Sequence, residues 1–332
     1  MQVLYLPIMK HPGKILLLLV FRIIVLQDCK TQDIEPGSPY NAPVLFNPAM
    51  TGSHLNGLMV LSYRDFYPGN NFNIGSIYMS YDSYFEPVHG GLGLYLIENR
   101  LGNVLNDLRT GFTYAYHLRA SRDLYINAGF MASLIHYGVN MNEIVFPDQI
   151  DRLLGPVLQT GESFTRVSRT VFDTGVGFLF NFREYHAGIS VNHLASPDLS
   201  LNGNSDGRLR RRYSVHGSAR FPLAGEKLHL APLVYSSLQA NIFSIAGGIS
   251  LEYSVLALNL QLHHSRGAGI NAIQTGIHLD INRIGVSYNY FFSPVISSGN
   301  LPVTLNNQVT LYIGLNNVDK STVINTINYP KL

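Results

Sequence analysis

Cysteine is all but missing from this chain. Its single cysteine, Cys29, lies in a segment that reads as a leader, so the mature chain carries no thiol. That excludes a disulfide framework, a thiolate metal site and a cysteine nucleophile together. Tryptophan is absent and charge is scarce, at 13% of residues, about half the share usual in a soluble domain. Beyond Thr31 there is no apolar run of 18 or more residues, which excludes a further helical membrane span. No convincing amphipathic helix separates the apolar stretches, which excludes parallel α/β architectures. Glycine (30), tyrosine (20) and phenylalanine (17) are plentiful instead, a mixture suited to a membrane barrel with an apolar outer face and strands packed on small residues.

The N-terminus has the layout of a secretory signal peptide over residues 1–31. Lys10 and Lys14 precede an apolar run from Ile15 to Leu26, and small residues sit at Cys29 and Thr31. Arg22 interrupts the run, so an uncleaved anchor is the rival reading. Asp28 directly before Cys29 is the wrong residue for a lipidation site. Removing the leader takes away Lys10, Lys14, Arg22, Lys30 and Asp28, and the formal charge falls from +2 to −1. The basic balance therefore belongs to the leader and gives no reason to expect nucleic acid as a partner.

The mature chain alternates. Phe172, Thr174, Val176, Phe178, Phe180 and Phe182 share one parity, while Asp173, Gly175, Gly177 and Asn181 hold the other. Leu256 to Leu262 against Ala257 to His263, and Phe112 to Leu118 against Gly111 to His117, repeat the pattern. In a strand this puts apolar groups on one face and small or polar groups opposite. Such runs predict about fourteen strands: 55–66, 71–84, 88–100, 104–118, 123–139, 168–182, 184–195, 211–221, 227–237, 242–253, 255–265, 269–280, 282–292 and 305–315. Most are long enough to cross the hydrocarbon layer at a tilt, which takes roughly 9 to 11 residues. The long connections, 140–167, 196–210 and 293–304, all follow odd-numbered strands. The expected fold is an all-β transmembrane antiparallel barrel over 55–315, with short periplasmic turns and long extracellular loops. A soluble sandwich or propeller would not need outward apolar faces. Residues 32–54 are then an N-terminal periplasmic arm or plug, and 316–332 a C-terminal tail.

Several segments carry a resemblance. YNAPVLFNPAMTG, from Tyr40 to Gly52, contains Asn47, Pro48, Ala49 and Gly52; SYRDFYPG follows, with Tyr63, Arg64 and Pro68; GGLGLYLIENRLGN then brings Gly90, Gly91 and Gly93. With TYAYHL, DLYINAGF, IVFPDQID and YHAGISVNHLASPD in order behind them, the chain resembles the PorP/SprF family of the type IX secretion and gliding apparatus over most of 32–292. It departs from the family pattern at Tyr67, where tryptophan is usual, and before the last strand, where Leu305, Asn306 and Asn307 replace a Ser-His-Glu. The resemblance implies a cell-outer-membrane protein that works with the secretion machinery and binds or anchors a secreted partner, such as an adhesin C-terminal domain. The alternative that the fold alone supports is a general porin or small-molecule transporter.

Nothing in the pattern asks for a cofactor or for catalysis. His263, His264 and Ser265 are neighbours in a strand, so consecutive side chains point to opposite faces and cannot form a triad or a zinc site. Asp148 and Asp151 alone fall short of the six or more oxygens that calcium takes, and capping their loop is the better reading. Arg208, Arg210, Arg211 and Arg212 form the densest basic cluster, either a solvated loop or a holder of outer-membrane lipid phosphates. Arg64, Arg109 and Arg220 are expected to face the lumen, with Asp173 and Glu184 as candidate partners. The side chain expected at 177 is likewise luminal, and serine there is expected to be tolerated. The longest connection is the candidate partner-binding surface: Ile144, Val145, Phe146, Pro147, Asp148, Ile150, Asp151, Leu153 and Leu154 are too apolar a set for a solvated linker.

Overall fold

The computed structural model describes residues 38–54, 57–69, 73–151, 155–157, 161, 167–201, 207–224, 227–266, 269–294 and 304–315. The leader (1–31), the start of the arm (32–37), Leu153, Leu154 and the tail (316–332) lie outside the described residues. Among the described residues no helix is long and apolar enough to cross a membrane.

The alternating runs form strands in the predicted order. β1 (Gly57–Phe66), β2 (Ile74–Phe85), β3 (Gly90–Leu101), β4 (Leu105–Arg119) and β5 (Leu124–Val139) are followed by β6 (Ser168–Phe182) and β7 (Tyr185–Asn192). β8 (Arg212–Ala219) is broken at Arg220 and continues as Phe221–Ala224. Then come β9 (Leu228–Gln239), β10 (Ile242–Tyr253), β11 (Leu256–Ser265), β12 (Gly269–Ile281), β13 (Ile284–Phe292) and β14 (Thr304–Leu315). Each strand pairs antiparallel with its chain neighbours, and β1 pairs with β14 from Gly57↔Leu315 to Phe66↔Asn306. The sheet is a closed barrel of 14 strands.

Boundaries shift for local reasons. The strand predicted over 184–195 stops at Asn192, because His193 takes a left-handed backbone (φ 58°). β2 begins at Ile74, after Asn73 at φ 48°, and residues 71 and 72 of the expected strand lie outside the described residues. Tight turns follow Arg183, Ser254 and Asn282, each at positive φ, while Ala240 and Asn241 are both left-handed, as a two-residue type I′ hairpin requires. The break in β8 leaves Phe221–Ala224 paired with β9 alone. Pro222 there has no N–H to leave unpaired, so the short edge is blunted.

Burial follows parity as the alternation predicts. On β6, Phe172 and Phe178 are exposed at 56% and 45%, while Asp173 and Leu179 are at 1% and 0%. Leu258, Leu260 and Leu262 face out and Asn259 and Gln261 face in. His264 is exposed while His263 turns inward to Gln274, so the adjacent histidines do lie on opposite faces. The three longest connections, 140–167, 193–211 and 293–303, follow β5, β7 and β13 and so share one end of the barrel.

Candidate functional site

The lumen is occupied by the chain's own N-terminal segment, from Ser38 to Ser53, every residue of which is buried. Its local structure follows from the Asn-Pro-Ala sequence. A single α-turn, Pro43–Phe46, opens on proline and ends at Asn47, which precedes Pro48 and is therefore pushed to an extended conformation (φ −141°, ψ 111°). Pro48 then starts a 3₁₀ turn to Met50, where its missing N–H is not needed. The Asn47 side chain caps that turn, accepting from the Ala49 N–H at 3.0 Å, and the Thr51 hydroxyl donates to the Pro48 carbonyl at 2.8 Å.

The wall holds this arm by its main chain and by the side chains of Asn41, Asn47 and Thr51 in equal measure, and the arm read backwards broadly follows the strands read forwards. The Gly52 N–H donates to Asp82 on β2 at 2.7 Å. Thr51 donates to Thr113 on β4 at 2.9 Å, and the His117 ring nitrogen lies 2.9 Å from the Thr51 carbonyl. Asn127 on β5 donates to the Ala49 carbonyl at 3.3 Å. Asn47 donates to the Phe178 carbonyl on β6 at 3.2 Å and meets His216 on β8 at 3.2 Å. Ser190 on β7 donates to the Phe46 carbonyl at 2.8 Å, and Asn192 to that of Leu45 at 3.3 Å. Asn41 reaches Gln308 on β14 at 3.3 Å and accepts from Tyr312 at 2.9 Å.

Glycines make this approach possible. A Cβ at Gly91 would overlap the Thr51 carbonyl, one at Gly129 the Ala49 nitrogen, and one at Gly177 the Asn47 side chain. Serine at 177 therefore meets the arm rather than open lumen, which corrects the tolerance expected there. Around these contacts the arm forms two apolar clusters. One joins Tyr40, Phe46, Ala49 and Met50 to Leu179, Leu233, Tyr235 and Ala246. The other joins Ala42, Val44 and Leu45 to Val60, Tyr78, Tyr95, Ile97 and Met131. Burial pushes the Tyr40 hydroxyl up to about 12. Small cavities of about 20 and 10 Å³ beside Leu45 and Ala42 are the size of a single water.

Of the signature residues, Gly52 meets Gly91, and Gly93 has Thr51 and Asp82 against it, whereas Pro48 and Ala49 meet Gly129 and Asn47 meets Gly177 and Gly188. Gly90 packs on Ala115 of β4, which is wall against wall. Arg64 faces in, between the rings of Phe66 and Phe291 at 4.6 and 4.7 Å, and donates to Asn306. Tyr63, next to it, is 53% exposed on the outer wall, and Pro68 lies in the turn beyond β1. Gly129, Gly188, Asn127 and His216 were not singled out by the sequence, and Gly177 was singled out only as a luminal position. The one sequence signal for the three glycines is their inward position on neighbouring strands.

The luminal arginines face inward with different partners from those expected. Arg109 pairs with Asp107, two residues away on the same face, with Nε 2.9 Å from Oδ1. Arg220 pairs with Glu252 at 2.8 Å. Asp173 holds His193 at 2.6 Å, and Glu184 is an exposed turn residue. The basic cluster also divides: Arg212 turns inward and is buried, while Arg210 and Arg211 stay exposed.

At the long-loop end, Leu199 and Leu209 fold onto Ile135. Asp198 ties this loop to Arg169 at 2.9 Å and accepts from the Ser200 N–H, contacts that hold its carboxyl below the usual range. In the longest connection, Pro147–Gln149 is a 3₁₀ turn, and Ile150–Asp151 pairs with Gly155–Pro156. Val145 and Ile150 are exposed, Ile144 and Phe146 half-buried. Asp148 accepts from the Gly161 N–H at 2.7 Å, as a loop cap does.

A closed antiparallel barrel with an apolar exterior, a polar inner wall and long loops at one end is built as an outer-membrane barrel. The chain belongs to the PorP/SprF family: the family described as type IX secretion system membrane protein PorP/SprF matches residues 30–315. No curated protein matches it. Among solved structures it is similar to the Pseudomonas putida toluene transporter TodX, at 10% identity over 86% of this chain and 96% of that one, with a TM-score of 0.48. A Pseudomonas aeruginosa FadL homologue gives 10% identity, 85% and 95% coverage and a TM-score of 0.46. The Acinetobacter baumannii outer membrane protein Omp33 gives 7%, 80% and 100%, and 0.41.

Proposed function

We propose that this protein is a non-enzymatic, closed scaffold of the type IX secretion system in the cell outer membrane. It binds or anchors a secreted protein, such as an adhesin C-terminal domain, at its long-loop end and contacts the secretion machinery from the periplasm. The observation that carries this reading is the filled lumen. A porin needs an open polar path, whereas here the arm is bonded to seven strands and packed in two apolar clusters. In this reading residues 1–31 are a leader removed on export, 32–54 the plug, 55–315 the barrel and 316–332 a tail, with the long loops outside the cell.

The partner surface is the connection carrying Ile144 to Leu154. Exposed Val145 and Ile150 favour it, because apolar groups at a solvent-facing loop are usually covered by something. Liposome swelling and a mild-detergent pull-down of the tagged protein together test the proposal. The expected result is no sugar flux and co-purification of a secreted protein with machinery components. Sugar flux through the intact protein would make it a porin.

A further inference from the structure

Tyr63 was singled out by its motif, yet it plays no part in the lumen. It stands on the outer wall in a region where the polarity of that wall changes. The strand registers stack outward-facing residues in rows around the barrel. Toward mid-wall, Met79, Leu94, Leu134 and Phe172 are exposed and apolar, as a lipid-facing band should be. The row nearest the long-loop end runs Asp65, Gly75, Arg100, Asn106, Gly138 and Ser168 across β1 to β6. The row beneath it contains Tyr63 and Glu98. The upper row carries no apolar side chain, and the lower one mixes Tyr63, Glu98, His136 and Thr170 with Ile77 and Leu108, although both continue the same outward face.

Their side chains are arranged around an aromatic ring. Gly75 has no side chain, and the Tyr63 ring lies over it, with Cε2 and the hydroxyl 3.8 and 3.9 Å from where a Cβ would stand. Beside it, Arg100 donates to both Glu98 oxygens at 3.0 and 2.9 Å, and Asn106 donates to the first of them at 3.1 Å. Above, Asn73 donates to Asn103 at 2.7 Å, and an open groove of about 610 Å³ runs over this rim. A flat exposed ring flanked by carboxylate, guanidinium and amide groups can stack one face of a pyranose and bond its vicinal hydroxyls. Around Tyr63 and Gly75, Asp65 and Glu98 are two carboxylates against one guanidinium, Arg100, a balance that repels phosphate and accepts neutral hydroxyls.

The geometry points to a binding site for a neutral saccharide on the outer wall of β1 to β4, taken from the headgroup of an outer-leaflet glycolipid. The glycolipid is the source because the site faces sideways and sits directly on the lipid-facing band, where acyl chains lie against Leu94 and Met79 and the headgroup meets Tyr63. This assignment rests on the long-loop end being the cell exterior.

The test uses the full mature protein in vesicles doped with a hexose-headed glycolipid or with phosphatidic acid of the same acyl chains. Native mass spectrometry after detergent extraction then counts the lipid retained. The glycolipid should be retained about tenfold over phosphatidic acid, Tyr63→Ala and Glu98→Gln should each lower retention about tenfold, and Tyr63→Phe should keep it. Equal retention of phosphatidic acid, or indifference to Tyr63→Ala, would overturn the site and leave Tyr63 an interfacial anchor. Free oligosaccharide competing as well as glycolipid would overturn the lipid source. Maleimide labelling of Asn103→Cys in intact cells checks the orientation separately: labelling supports the outer-leaflet source, and protection of that cysteine overturns it whatever the vesicles show.

Discussion

Gly129 on β5 and Ala49 of the arm lie so close that a methyl group on the glycine would occupy the place of the Ala49 backbone nitrogen. Gly129→Ala must therefore push the arm off the wall or distort β5, at a cost of about 1–3 kcal/mol for overpacking. Gly217→Ala, on the outer face with nothing nearer than 3.6 Å, is the control. The measurement is the temperature at which the compact unheated band on a gel converts to the unfolded one. The midpoint should fall for Gly129→Ala and hold for Gly217→Ala.

Val176 and Phe178 share the lipid-facing stripe of β6. Val176→Arg and Phe178→Arg should each cost about 2–4 kcal/mol near the midplane. Gly177→Ser, between them, should also destabilise, but through its clash with Asn47. Adding Asn47→Ala should then restore part of the loss in Gly177→Ser and none of it in Phe178→Arg, a coupling read from the same gel midpoints. Additive effects in both pairs would argue against the arm being seated on β6.

The Asp198 carboxyl is held below its ordinary value by the Ser200 N–H and by Arg169. A carboxylate depressed in the folded state contributes stability that is complete above its unfolded pKa and is lost as the pH falls through the folded one. The loop carrying Leu199 and Leu209 should thus loosen below about pH 4, close to the unperturbed carboxylate value. A nitroxide on Ser196→Cys should gain mobility over that range. In Asp198→Asn the label should be mobile already at neutral pH, with no further change on acidification.

Replacing residues 144–154 with a Gly/Ser linker removes the exposed Val145 and Ile150 while leaving every barrel strand in place. The variant should remain heat-modifiable and lose its co-purifying partner. Retention of the partner together with new leakage of small solutes would make the loop a constriction and remove it from partner binding.

The barrel was legible because its two faces meet different solvents, so parity alone separates Phe172 from Asp173 and Leu258 from Asn259. The occupied lumen was legible only as an option. Asn47, Pro48 and Ala49 stand in the sequence as a turn, and Gly91, Gly129 and Gly177 as small inward residues, but their meeting spans distances that no local pattern encodes. The ion pairs divide in the same way. Asp107 and Arg109 share a face two residues apart and could have been paired from the sequence. Asp173 with His193, and Arg220 with Glu252, depend on which strands stand side by side. Arg212 departed from its basic neighbours because β8 begins there, and the first strand residue must take one face or the other.

The order of contacts along the arm has a consequence for how the protein is made. The sequence separations of its bonds to β2, β4, β5, β6, β7, β8 and β14 rise steadily, as 30, 62, 78, 131, 144, 169 and 267 residues. A chain delivered N-terminus first presents its own template, and each hairpin docks on a neighbour already anchored, so the loop it must close stays short. Among the strand pairings only the final seam between β1 and β14 joins distant parts of the chain, and by then Asn41 is in position to meet Gln308. Assembly of this kind is a winding around a core rather than the closure of an empty ring.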